Sequence, residues 1–126
     1  MFGAQPFLQD ATVVALDGVF DECDSMYADY QRHASVVVDA FANSDRLEAR
    51  APQGGICVMV DVRGSGLSGA EFAGRLLAEY DVATMPGESF RPSGAGRMRV
   101  RLTTDDESIA LGCERMLELA SSLDKG

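Results

Sequence analysis

Apolar residues recur along this chain in two rhythms, and the change of rhythm divides it. From Gln5-Pro6 to Gly18, the residues Phe7, Ala11, Val14 and Ala15 return at helical spacing, with a proline suited to a first turn and a glycine to a break. A second helix is predicted from Phe20 to Ala42. Its stripe of Phe20, Cys23, Tyr27, Tyr30, Ala34, Val37, Val38 and Phe41 alternates steps of three and four. The other face carries Asp21, Asp24, Asp29, Gln31, Arg32 and Asp39. Acid gathers at the start, where the helix dipole favours it, and Asn43-Ser44-Asp45 closes the helix. Tyr27 and Tyr30 lie on the apolar stripe and read as core.

Beyond Arg46 the rhythm shortens. Arg46 to Gly55 is a connection with room for a short extended piece at Leu47 to Ala49, punctuated by Pro52-Gln53-Gly54-Gly55. Ile56 to Val62 is apolar on both faces except at Asp61, which predicts a central strand covered on both sides. After the loop Arg63-Gly64-Ser65-Gly66, Ser68-Gly69-Ala70-Glu71 forms a capping box, opening a helix whose apolar face is Phe72, Leu76, Leu77 and Tyr80. Val82 to Met85 reads as a short strand, Pro86-Gly87 as a turn and Arg91 to Gly96 as a loop. Then Arg97, Arg99 and Arg101 alternate with Met98, Val100 and Leu102, so a strand here turns the arginines to one face and the apolar residues to the other. Thr104-Asp105-Asp106-Glu107 is a second capping box, and Ile109, Cys113, Met116, Leu117, Ala120 and Leu123 form the inner side of the last helix. The predicted fold class is α+β: two N-terminal helices, then β-α-β-β-α with a small three-stranded sheet covered by helices. Residues 1–126 make one domain, with connecting helices in 1–45, the sheet layer in 46–123 and a frayed tail at 124–126.

Composition narrows the function. The chain has 126 residues, 46% hydrophobic and 25% charged, enough for a single core without metal or disulfide support. A net charge of -9 and a pI near 4.4 argue against nucleic acid and against an anionic membrane surface. No apolar run approaches the roughly 20 residues of a membrane span, and MFGAQPFLQD lacks the basic lead and apolar core of a signal peptide. Cys23, Cys57 and Cys113 are odd in number and widely spaced, and read as buried small hydrophobes of a reducing, cytoplasmic compartment.

Most candidate sites reduce to structure. Gly64-Ser65-Gly66 with Gly69 leads from a strand into a helix, yet lacks both the dinucleotide spacing and a P-loop lysine. His33 has no second histidine or nearby thiol and reads as a surface residue; no metal site can be assembled. Ser89 has no base near it in sequence. The run Asp105-Asp106-Glu107 is explained by capping. Neither a catalytic residue nor a metal ligand emerges. The three-arginine face remains. Guanidinium groups so close repel unless anions or acidic residues lie opposite, and the arginine fork suits a carboxylate. On spacing alone that face reads better as edge protection, or as a partner for nearby acids, than as a ligand site.

The segments, in order, resemble the C-terminal small domain of class I/II pyridoxal-phosphate-dependent aminotransferases of fold type I. FGAQPFLQDATVVAL is similar to the stretch that leaves the large domain, and the helix Phe20 to Ala42 to the long connecting helix. Pro52-Gln53-Gly54-Gly55 resembles the family's Pro-x-Gly-Gly entry to a strand. SGAEFAGRLLAEYDVATMPGESF resembles its helix, strand and Pro-Gly-x-x-Phe turn, and GRMRVRLTTDDE its last strand and helix start.

The resemblance implies a role for the arginine strand. Aligning LTT with the end of the family's strand gives Arg99 the clamp on the substrate α-carboxylate, with Arg97 and Arg101 as register alternatives, and Phe90 with the Pro86-Gly87 turn the edge of the substrate pocket. Arg97 and Arg101 stand where the family more often has aromatic or small residues, and they would bias the site toward acidic substrates. It also implies an amino acid and 2-oxo acid as substrates, pyridoxal phosphate as cofactor of the full enzyme, and a homo-oligomer, a dimer. The cofactor-binding lysine belongs to a large domain that would precede Met1, and the single lysine here is Lys125. No cofactor is therefore expected on this chain alone, which is expected to be inactive. The apolar side of Phe2, Phe7, Leu8 and Val14 should then lack a cover. The alternative is a free-standing, non-enzymatic module that binds amino acids or small carboxylates.

Overall fold

The computed structural model describes residues 3–18 and 20–123. Phe2 and the predicted tail, including Lys125, lie outside the described residues. Two helices, α1 (Pro6–Gly18) and α2 (Phe20–Phe41), lead into β1 (Glu48–Ala49), β2 (Cys57–Asp61), α3 (Gly69–Tyr80), β3 (Met85–Pro86), β4 (Arg97–Arg101) and α4 (Asp106–Ser122). The α+β class stands. The sheet has four strands where three were expected, in the order β1-β2-β4-β3 with every pairing antiparallel. The extra strand, β1, is two residues long, too short to show a period, and is held in place by the buried Leu47 before it.

The third strand starts later than Val82. Asp81 closes α3 in the left-handed conformation at φ 54°, and the amides of Asp81 and Val82 both return to the Leu76 carbonyl. Residues 82–84 are used in that reversal, so only Met85 and Pro86 reach Arg99 and Met98 of β4. Pro86, which has no amide hydrogen, is tolerated because β3 is an edge.

Val58, Val60, Met98 and Leu102 are fully buried against Phe72 and Leu76 of α3 and Ile109, Met116 and Leu119 of α4, with Val37 and Phe41 of α2 in the same core. The expected double cover of the central strand is absent among the described residues. Met59 is 40% exposed and Cys57 and Asp61 are half-buried, so one face of β2 looks outward. An apolar run interrupted only by Asp61 therefore marks a strand correctly and its second cover wrongly.

The stripe of α2 is also only half used. His33, Ala34, Val37 and Phe41 are buried, whereas Phe20, Cys23 and Tyr27 are exposed, because the sheet and α4 reach only the C-terminal turns. Tyr30 is half-buried against the core. Of the three cysteines only Cys113 is buried, and its thiol is pushed up to about 11 by that burial. α1 buries nothing.

Both predicted helix starts involve side-chain caps. Ser68 and Glu71 form the reciprocal box, with Ser68 Oγ accepting from the Glu71 amide at 3.2 Å and Glu71 Oε2 from the Ser68 amide at 3.0 Å. The second start shifts by one residue. Asp105, rather than Thr104, caps α4, accepting from the Ser108 amide at 2.8 Å and its hydroxyl at 2.9 Å. An aspartate caps as well as a threonine, and the Ser108 hydroxyl decides in its favour.

His33 corrects the expectation of a surface residue: it is 7% exposed. Nδ1 lies 2.7 Å from the Leu102 carbonyl oxygen, an acceptor, so Nδ1 carries the hydrogen. Nε2 lies 2.9 Å from Asp106, which also pairs with Arg32. One imidazole thereby ties α2 to the end of β4 and the start of α4. His33→Ala strips the buried Leu102 carbonyl of its partner and is expected to lower unfolding free energy by about 1–3 kcal/mol in urea titrations, with cooperativity retained.

Candidate functional site

Register builds the site. Asp61 pairs with Arg97, Met59 with Arg99 and Cys57 with Arg101, while Val58 pairs with Val100 and Val60 with Met98. Directly opposed residues of an antiparallel pair share a face. The three arginines, Cys57, Met59 and Asp61 therefore stand together on the outward side, and the apolar set on the core side. Two single turns, Gly87–Ser89 and Pro92–Gly94, fold beside that outward face. Between loop and sheet lies a cleft of about 790 Å³, lined by Glu48, Arg50, Cys57, Met59, Asp61, Arg63, Phe90, Arg91, Ser93, Arg97 and Arg99 among others.

The arginines are not equivalent. Arg97 donates from Nη1 to the Ser93 carbonyl at 3.1 Å, and its Nε lies 3.7 Å from Asp61 Oδ2. Asp61 is gripped harder by Arg63, whose Nε sits 2.9 and 3.0 Å from its two oxygens and whose amide donates to Oδ1 at 3.1 Å. The Arg63 guanidinium is the main reason the Asp61 carboxyl is held below its ordinary range, against the opposing effect of burial. Arg101 is exposed and lies outside the cleft lining.

Arg99 differs from both. Its Nε donates to Cys57 Sγ at 2.9 Å, and the guanidinium carbon lies 5.2 Å from the centroid of the Phe90 ring. No acidic side chain among the described residues pairs with it, and its terminal nitrogens make no hydrogen bond there. The ring and the thiol fix the guanidinium plane without consuming its fork. Such a group can receive a carboxylate on two parallel N–H donors.

Of the residues singled out from sequence, Arg99 and Phe90 come together, Arg97 shares their cleft but is engaged, and Arg101 lies apart. Ser89 does not line the cleft. Cys57, Arg63 and Ser93 were not foreseen as members, and Asp61 signals itself only as the one charge in an apolar strand. No cluster of three or more His, Cys, Asp or Glu side chains among the described residues is arranged to hold a metal ion. Among those residues, no helix is long and apolar enough to cross a membrane.

Comparison with known proteins matches residues 2–116 to the family model for aminotransferase class I and II. An arginine–pyruvate transaminase of Pseudomonas aeruginosa is 37% identical over 123 residues, covering 98% of this chain and 31% of the relative. An LL-diaminopimelate aminotransferase of Dehalococcoides mccartyi is 30% identical over 119 residues, 94% of this chain and 30% of its own. Among solved structures, the aromatic aminotransferase of Pyrococcus horikoshii superposes with a TM-score of 0.75 at 26% identity, over 81% of this chain and 27% of that one. The chain spans under a third of the length of these relatives.

Asp61 has a testable share in this geometry. A carboxyl held below its ordinary value stabilises the fold above that value and loses its contribution as pH falls through the lowered one. Asp61→Asn is therefore expected to cost about 1 kcal/mol at pH 7. The gap to wild type should close as the pH of chemical denaturation falls below 3.8, the ordinary aspartate value.

Proposed function

Because the chain belongs to the class I and II aminotransferases, we propose that its 126 residues are the C-terminal small domain of such an enzyme and that Arg99 clamps the α-carboxylate of the amino acid or 2-oxo acid. The observation that carries this is the fork of Arg99 in the cleft, unused among the described residues. Arg97 is held by Ser93 and Asp61, and Arg101 stands outside. Phe90 gives the guanidinium a flat support and forms one wall. Binding energy spent on the carboxylate orients the α-carbon, which is the clamp's contribution to the reaction.

The family's cofactor, pyridoxal phosphate, supplies an aldehyde that condenses with amines and acts as an electron sink. The residues here do not fit it. The described residues contain no lysine, and the cleft has no amine among its lining groups. No chemical step is assigned to this chain; it binds and orients, and another part of the enzyme holds the cofactor.

The exposed apolar side of α1 and early α2 supports the same reading. Phe7 is 64% exposed, Val14 70% and Phe20 61%, an uncovered run that a large domain would seat against. The whole enzyme is then a homo-oligomer acting in the cytoplasm. A second reading, a free-standing carboxylate-binding module, draws on one observation: the cleft is walled by this chain's own residues. The two part on whether adding the large domain brings transamination or leaves binding alone.

Arg99→Ala is expected to weaken pyruvate binding about 10- to 100-fold in calorimetry, the worth of one charge-assisted fork. Arg101→Ala should change it less than about twofold. Equal losses from the two would remove the clamp from Arg99. The chain should also release pyridoxal phosphate completely on dialysis. Cofactor fixed on Lys125 by borohydride would contradict that expectation.

A further inference from the structure

Glu88 has a place that no part of the carboxylate clamp requires. It sits in the turn Gly87–Ser89, two residues before Phe90. Its Oε1 accepts two amides from different elements, Gly69 at the first turn of α3 at 3.0 Å and Gly96 at the entry to β4 at 2.9 Å. Its Oε2 is shut off from solvent and has no hydrogen-bond partner among the described residues. An unpartnered buried carboxylate oxygen costs free energy, which the two amide hydrogen bonds to Oε1 offset in part.

The surroundings press closely on this carboxylate. A Cβ on Gly69 would stand 2.5 Å from Glu88 Oε2 and 2.5 Å from the Arg97 carbonyl. A Cβ on Gly87 would collide with the Gly94 carbonyl oxygen, so the two single turns touch backbone to backbone. The Phe90 amide returns to the Gly87 carbonyl at 3.0 Å, which carries the placement of Glu88 on to the ring under Arg99. The Glu88 carboxyl is held below its ordinary value, first of all by the Gly96 amide.

We propose that Glu88 is the positioning residue of the cleft: by bridging the first turn of α3 and the entry to β4, it locks the Gly87–Gly94 loop so that Phe90 lies under the Arg99 guanidinium. Reach, more than charge, does this. Glutamine keeps the length and one accepting oxygen, whereas aspartate keeps the charge and falls one methylene short of spanning both amides. Only the final consequence, for carboxylate affinity, rests on the proposed role of Arg99.

The ring current of Phe90 on the Arg99 side-chain signals provides the readout, measured by NMR on the whole chain, with Phe90→Leu setting the value without a ring. Glu88→Gln should retain the wild-type Arg99 shifts and the downfield Gly69 and Gly96 amides. Glu88→Asp and Glu88→Ala should move Arg99 toward the Phe90→Leu value and weaken pyruvate binding about tenfold. If Glu88→Ala does not fold, the contrast between aspartate and glutamine decides. Wild-type Arg99 shifts in Glu88→Asp, or their loss in Glu88→Gln as complete as in Glu88→Asp, would overturn the proposal. Should wild type fail to bind pyruvate while the shifts follow this order, Glu88 keeps its role and the clamp is what fails.

Discussion

The antiparallel register between β2 and β4 is the constraint on which the rest depends. One residue of slip in β4 would turn Met98 and Val100 outward and drive three guanidinium groups into the core beside Val58 and Val60. The core tolerates no such exchange, since Val58, Val60, Met98 and Leu102 are fully buried. Burial of one face thus dictates what the other displays. Asp61 falls opposite Arg97, and Arg99 falls opposite Met59 with Cys57 within reach of its Nε.

Electrostatics then sorts the arginines. Three like charges along five residues repel, and the chain answers each in a different way. Asp61 and the Ser93 carbonyl hold Arg97, and solvent takes Arg101. Arg99 is supported by an aromatic face and a sulfur, neither of which neutralises it. A cation in a cleft without a counter-charge among the described residues has donors free for an anion, which is the basis of the proposed clamp. In a chain of net charge -9, the absence of an acidic partner for this guanidinium among the described residues is what supports the proposed carboxylate site.

Much of this is legible in the chain. The alternation from Arg97 to Leu102 displays both faces of β4 in the residue order alone, and the Ser68–Glu71 box marks the start of α3. What periodicity cannot report is the partner. It marks Phe20, Cys23 and Tyr27 as one apolar side without telling that the core ends near His33. It reads Ile56 to Val62 as covered twice because outward Met59 and Cys57 are apolar in kind. His33 looks like a surface residue because its partners are remote in the chain, Leu102 lying 69 positions further on. Glu88 gives no signal, because its two amide partners are backbone and have no side-chain signature. Family likeness points to Arg99 with Arg97 and Arg101 as alternatives, and the proposal for Arg99 draws on their different contacts in the cleft.

The most direct measurement follows the arginine side-chain Nε–H signals of this chain while a 2-oxo acid is titrated in. The Arg99 signal is expected to move and saturate, while those of Arg97 and Arg101 stay close to their starting positions. Equal, unsaturating shifts at all three, or saturation at Arg97 with Arg99 unmoved, would contradict it.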